Sequence, residues 1–102
     1  MIFFFGMNVL VMKFYIFIEE SKSLKDKRRI VKSIIEKTRD KFKVSISEVD
    51  QLDNLNYSTV GLVSVSNSSQ FLNSLSQNIE NFIDQYYPGR IQKTERWIEN
   101  VD

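Results

Sequence analysis

Residues 23–35 read SLKDKRRIVKSII, and this stretch predicts the front half of a long amphipathic helix. Ser23 is a good N-cap because its hydroxyl can accept a hydrogen bond from a backbone N–H one turn later, and Asp26 has the spacing of a capping box. Apolar side chains fall within a narrow arc at 3.6 residues per turn, so one stripe of the helix is expected to face a core. The stripe consists of Leu24, Val31, Ile34, Ile35 and Phe42.

One flank of this stripe is strongly basic. Residues 22–43 hold ten basic and three acidic residues, a net charge of +7, whereas the whole chain carries +1. The asymmetry predicts a patch for an anionic partner, with a solvated helix face as the simpler alternative. Contacts from such a patch to phosphates would be independent of sequence and sensitive to salt. The predicted nucleic-acid-binding residues are Lys25, Arg28, Lys32 and Arg39 in one row, with Lys27 and Arg29 beside it.

The composition argues against most enzyme chemistry. The 102 residues include no Cys and no His, which removes disulfides, thiolate metal sites and every nucleophile pair that depends on histidine. We therefore expect no catalytic residues, no metal site, no cofactor and no small-molecule substrate. The apolar N-terminal run is interrupted by Asn8 and Lys13 and lacks the features of a signal peptide, so we expect a cytoplasmic protein that does not enter a membrane.

The apolar run from 8 to 18 is aromatic and β-branched, which favours a strand with two partly apolar faces. Residues 1–6 (MIFFFG) are predicted to be a leader in front of a single domain over 7–102. Met7 is a candidate native start, and the leader is either a disordered tail or a short strand extension.

The remaining elements follow in a simple order. We predict a helix over 24–41, a strand over 43–50 with a bulge near 47–48, a hairpin loop over 51–56, a strand over 57–66, a helix over 69–86 capped by Asn67 or Ser68, and a strand over 90–99. The β-α-β-β-α-β order with right-handed crossovers gives an α+β, ferredoxin-like sandwich, in which two helices cover one face of a four-stranded antiparallel sheet.

The other sheet face is left open in this fold. Tyr15, Phe17, Val60 and Leu62 are predicted to project there, and they offer more apolar surface than a monomer usually exposes. A homodimer interface through this face is the favoured interpretation. Stacking of RNA bases is the weaker one, because the matching positions of the third strand, Val60, Leu62 and Ser64, hold no aromatic residue.

Two further clusters have simpler interpretations. The carboxylates of Glu48, Asp50 and Asp53 could hold a hard cation, but their spacing matches no calcium loop and a solvated turn explains them. Ser68 and Ser69 could bind an anion at a helix N-terminus, although they serve first as caps. Trp97 is expected in core or interface packing.

Several stretches resemble the YlxP-like bacterial family of unknown function. The similarity spans Met7 to about Ile98. The stretches are SLKDKRR at 23–29, VKS at 31–33, VSISEVD at 44–50, Gly61 with VSN at 65–67, and ER at 95–96. The chain departs from the family pattern in its leader, at Phe17 and at Trp97.

The resemblance implies a ferredoxin-like fold and no enzymatic activity. Genes of this family tend to lie beside those for initiation and ribosome-maturation factors, which implies RNA or ribosomal proteins as partners. The sequence is therefore interpreted as a small non-enzymatic binding protein that uses its basic helix. The alternative is a homo-oligomeric interaction domain that uses the open sheet face.

Overall fold

The computed structural model describes residues 6–101, so the predicted leader lies outside the described residues except for Gly6. The strands form one antiparallel sheet in the order β2-β3-β1-β4. This confirms the predicted ferredoxin-like α+β fold. The elements are β1 (Met7–Phe17), α1 (Leu24–Phe42), β2 (Ser45–Asp50), β3 (Tyr57–Ser66), α2 (Ser69–Tyr86) and β4 (Ile91–Val101).

Strand β1 is the centre of the core. Its even-numbered residues are buried and its odd-numbered residues are only partly covered or exposed, because successive side chains of a strand point to opposite faces. Leu10, Met12, Phe14 and Ile16 pack in one cluster with apolar residues of both helices. Burial of each such side chain contributes about 1.5–3 kcal/mol to folding, so this face fixes the side on which the helices pack.

Both helices bury residues at intervals of four, three and four, which is the spacing of one helical face. Helix α1 begins after Ser23, whose hydroxyl accepts from the Asp26 N–H at 3.0 Å. Helix α2 begins after Ser68, whose hydroxyl accepts from the Phe71 N–H at 3.1 Å. The buried residues are Lys27, Val31, Ile34 and Thr38 in α1, and Leu72, Ser76, Ile79 and Ile83 in α2.

The prediction that Val60 and Leu62 face the open side is wrong. Val60 pairs with Phe14 and Leu62 with Met12, and paired residues of neighbouring strands share a face. Both are therefore buried beneath the helices. The open face of β3 carries instead Tyr57, Thr59, Gly61, Val63 and Val65, which pair with the odd-numbered residues of β1.

Strand β2 contains the predicted bulge one residue further along. The register shift lies between Glu48 and Asp50, and it turns Val49 towards the open face. A Cβ atom on Gly61 would lie 3.2 Å from Cγ1 of Val49. Glycine at this position therefore lets the bulged edge strand approach its neighbour closely.

Candidate functional site

Helix α1 displays a row of cations on its solvent side, which we call the basic ridge. Its members are Lys25, Arg28, Arg29, Lys32 and Arg39, and all five are exposed. The side chains of Arg28, Arg29 and Lys32 are 60%, 76% and 74% exposed, so they reach well into solvent. Arg39 also donates to the carbonyl of Ile46 at 2.9 Å, which ties its guanidinium to the edge strand.

Lys27 does not belong to this surface, and its predicted role in phosphate contact is wrong. Its side chain is fully buried, and its Nζ lies 2.7 Å from Oε2 of Glu48. The same Nζ donates to the carbonyls of Gln51 at 2.7 Å and Leu52 at 3.3 Å. Three acceptors thus meet the three N–H groups of the ammonium, which is what a buried charge requires.

The Lys27 ammonium joins the helix to the hairpin loop beneath the ridge. Ser58 donates a second hydrogen bond to Oε2 of Glu48, at 2.7 Å. The resulting polar cluster connects α1, β2, β3 and the loop after β2. It holds the base of the ridge in place while the neighbouring cations point outwards.

Two of the three ion pairs of the ridge, those of Arg28 and Lys32, are weak, whereas Arg29 binds Asp26 closely. Arg28 lies 3.7 Å from Asp53, whose side chain is almost fully exposed, and Lys32 lies 3.9 Å from Glu36. Exposed pairs of this kind contribute about 0–1 kcal/mol, so a phosphate can displace the carboxylate at little cost. Lys25 has no ion-pair partner within 4.0 Å among residues 6–101.

A shallow groove of about 540 Å³ lies over the first half of the ridge. Its cationic walls suit an extended anion better than a compact apolar ligand. Asp26 is the one carboxylate among the residues that line it. The lining residues are Lys22, Ser23, Lys25, Asp26, Arg28, Arg29 and Lys32.

The carboxylate of Asp26 makes its contacts at the N-terminal end of α1. The Arg29 guanidinium, 2.5 Å from Oδ1, together with the backbone N–H of Lys22, lowers the pKa of the Asp26 carboxyl. A folded-state pKa below the unfolded value means that the ionised carboxylate stabilises the fold. This contribution is present above the unfolded pKa of about 3.9 and is lost as the pH falls through the folded value.

We expect Asp26→Asn to lower the stability at neutral pH slightly and to reduce its decline in acid. Urea unfolding at pH 7 and below about pH 3 measures both effects. Asp40→Asn, which removes the same charge at an exposed position in the last turn of α1, is the matched control. An Asp26→Asn variant that loses stability in acid as steeply as the parent would contradict the assignment.

The open sheet face is the second surface of interest. Tyr15 and Phe17 lie on it as predicted, on the side away from the helices. Tyr15 donates to Oε1 of Glu95 at 2.7 Å, and this hydrogen bond lowers the pKa of the Glu95 carboxyl. Phe17 packs against Tyr57 with ring centroids 5.0 Å apart.

The four interface residues predicted from the sequence do not include the most exposed apolar residues of this face. These are Val49, Tyr57, Val63, Val65, Trp97 and the two strand ends Met7 and Val101. The missing signal was the register of β3, since residues of both parities in that strand are apolar. The pairing with Phe14 and Met12 decides which set is covered.

The hairpin carboxylates do not share one solvated turn as predicted, because Glu48 lies in β2 and its carboxylate is largely covered. Glu48 binds Lys27 and Ser58, Asp50 accepts from the Gln51 N–H, and Asp53 pairs loosely with Arg28. No group of three or more potential metal-ligating residues is found within residues 6–101. No helix in the described part of the chain has the length and apolarity needed to cross a membrane.

Comparison with known proteins gives the family. The model described as "Protein of unknown function (DUF503)" matches residues 9–96. The chain belongs to this family. The uncharacterized protein YlxP of Bacillus subtilis (strain 168) is 35% identical over 69 residues, which cover 68% of this chain and 75% of that protein. The predicted YlxP-like relationship is thus confirmed, and the family is one of unknown function.

Solved structures support the fold. A dimeric ferredoxin-like protein of unknown function from Thermobifida fusca YX superimposes with a TM-score of 0.59 at 10% identity, covering 99% of this chain and 97% of that one. The de novo designed protein Foldit4 superimposes with a TM-score of 0.58 at 14% identity, covering 94% of this chain and 99% of that one. At such low identities, these likenesses concern the fold alone.

Proposed function

We propose that this protein is a cytoplasmic, non-enzymatic binding module that holds the phosphate backbone of RNA along α1. The observation that carries the proposal is the basic ridge, five exposed cations on one side of a rigid helix. The ribosomal setting implied by the family resemblance makes an RNA of the translation machinery the natural ligand. The proposal requires no catalytic step.

The length of the ridge suits several phosphates. Lys25 and Arg39 are separated by about 21 Å at 1.5 Å per helical residue. A stacked strand places about six phosphates over that distance, at 3.4 Å per nucleotide. The cations stand on a helix packed on the sheet, so little further ordering is needed on binding. Base edges are not read by such contacts, and binding should be largely independent of sequence.

We expect Arg28→Glu with Lys32→Glu to weaken binding to a single-stranded oligouridine about tenfold or more. Each lost contact removes a charge-assisted hydrogen bond, and 1.4 kcal/mol corresponds to a factor of ten in affinity. Fluorescence anisotropy of the labelled RNA measures the change. Lys93→Glu with Lys13→Glu, on the opposite face of the sheet, applies the same change in charge away from the ridge.

If the ridge variant and the sheet-face variant lose the same affinity for RNA, the net charge of the protein, and not the ridge, explains the binding. An unchanged affinity in the ridge variant would remove the proposed function. Binding of a ribosomal protein in place of RNA would appear as a parent chain without affinity for the oligouridine at low salt.

A second candidate function is self-association through the open sheet face. Seven of the eleven exposed large apolar side chains in the described part of the chain lie on this one face. An apolar concentration of this kind is typical of an interaction surface. The Thermobifida fusca protein of similar fold is dimeric, which adds support.

A further inference from the structure

The open sheet face has a projection and a hollow on the same surface. Trp97 of β4 is 44% exposed and stands out from one side of the face. A hollow of about 370 Å³ lies on the other side, between β1, β3 and β2. Its floor is formed at Gly61, where no side chain is present, and its walls are mostly apolar.

The hollow and Trp97 lie at the same level along the strands. In the sheet register, Trp97 pairs with Val11, Val11 with Val63, and Val63 with Ser45. These four residues form one row across all four strands. Val11, Val63 and Ser45 line the hollow, so the row begins at the projection and ends in the hollow.

If two copies pack face to face, a two-fold axis parallel to the strands and above the gap between β1 and β3 brings the projection of one copy over the hollow of the other. This rotation leaves the position of a residue along the strand direction unchanged. It reverses the order of the strands across the sheet, so β4 of one copy faces β2 of the other. The Trp97 of one copy then lies over the β2 side of the other, where the hollow is. Two sheets packed face to face with nearly aligned strands are a common arrangement in proteins.

We propose that a second copy of this chain covers the open face, and that Trp97 of each copy fills the hollow beside Gly61 of the other. This docking rests on the proposed self-association and specifies its geometry. The interface is isologous, because each copy contributes one projection and one hollow. A buried tryptophan near the centre of an interface is the usual form of an energetic hot spot.

The size of the face fits a stable dimer. Four strands about 4.8 Å apart, three of ten or eleven residues and one of six, give a flat footprint of roughly 600 Å² before the relief of the side chains is counted. Stable interfaces bury about 800 Å² on each partner. The face is therefore of the order required without any contribution from the helices.

The charges of the face favour a copy of itself over a charged partner. The positive charges of Lys13 in β1 and Lys93 in β4 are balanced by the carboxylates of Glu95 and Glu99 in β4. Asp50 adds one negative charge at the β2 edge of the face. The net charge of the face is thus within one unit of zero. A second copy can approach without repulsion, whereas a nucleic acid gains nothing here.

Two substitutions, made singly and together, test the docking by moving the tryptophan from the projection into the hollow. Trp97→Ala empties the hollow of the other copy, and Ser45→Trp fills the hollow from within its own chain. Each single change affects both tryptophan contacts of the two-fold dimer and should weaken it about a thousandfold, because each hot-spot tryptophan contributes about 2 kcal/mol or more, a factor of about thirty. The double variant restores one tryptophan to each hollow, and its dissociation constant should return towards that of the parent.

Sedimentation equilibrium of the full chain measures these constants, with Phe71→Ala on the outer surface of α2 as the control. The parent should reach twice the 12.1 kDa of one chain. Its single tryptophan should become less accessible to acrylamide as the dimer forms, which tests the docking even if a variant does not fold. A dimer in which the two changes are simply additive, or in which Trp97 stays accessible, would overturn the docking and leave self-association standing. A parent that stays monomeric overturns both.

Discussion

Replacement of Lys27 by alanine is expected to lower the free energy of unfolding by about 3–5 kcal/mol. The loss is large because the Glu48 carboxylate, which now accepts from Lys27 and Ser58, would be left without its cation in a largely covered position. The carbonyls of Gln51 and Leu52 lose a donor as well. Urea unfolding followed by circular dichroism measures the change.

The neighbouring cation Lys32 provides the matched control. Lys32→Ala removes the same charge from the same helix, but from an exposed side chain, and should change the stability by less than about 0.5 kcal/mol. A Lys27→Ala variant as stable as Lys32→Ala would mean that the buried pair contributes little. The double variant Lys27→Met, Glu48→Leu should be much nearer the parent, since apolar residues of similar size often replace a buried ion pair without loss.

The double variant also separates structure from binding. Lys27 is fully buried and cannot contact a phosphate, so Lys27→Met, Glu48→Leu should bind RNA like the parent. The charge-reversed ridge variant, Arg28→Glu with Lys32→Glu, should bind RNA more weakly than the parent. The burial of Lys27 thus divides the basic stretch into one structural cation and a set of cations free to bind a partner.

One feature of the sequence, the helical spacing, predicts the burial of Lys27. Lys27 stands four residues before Val31 and seven before Ile34, at the spacing of the buried face. Residue type argued the other way, since lysine is rarely buried unless it is paired. Its partner Glu48 is 21 positions away, and no local pattern connects the two.

Local patterns were sufficient for the order and the limits of most elements. The predicted bounds of β3 and α2 agree with the structure, because turn residues and caps mark both ends. The face of β3 was not predictable in this way. Val60 and Leu62 are as apolar as Val63 and Val65, and only pairing with β1 across the sheet selects the covered set.

The two proposed surfaces lie on opposite sides of the molecule. The helices separate the ridge from the sheet, so two copies joined through their open faces carry their ridges outwards. Self-association and RNA binding therefore need not compete. Trp97→Ala, which leaves all charges unchanged, should weaken the dimer and leave the affinity of each ridge for RNA unchanged.

The affinity for single-stranded RNA is expected to fall about a hundredfold between about 50 and 200 mM salt. Each neutralised phosphate of a single strand contributes about −0.7 to the slope of the logarithm of affinity against the logarithm of salt concentration. Five contacts along the ridge give a slope near −3.5, and a fourfold rise in salt then costs about two decades. Anisotropy titrations of labelled oligouridine across this range measure the slope.

The slope tests the ridge more sharply than affinity at one salt concentration. Arg28→Glu with Lys32→Glu removes two contacts, so the slope should flatten to about −2. Trp97→Ala should keep the full slope. A parent slope near zero would mean that binding does not depend on phosphate contacts. The slope counts only the cations that contact the RNA backbone, because only those contacts release counterions. A slope that stays steep in the charge-reversed ridge variant would therefore place the contacts elsewhere, for instance at the other lysines of α1.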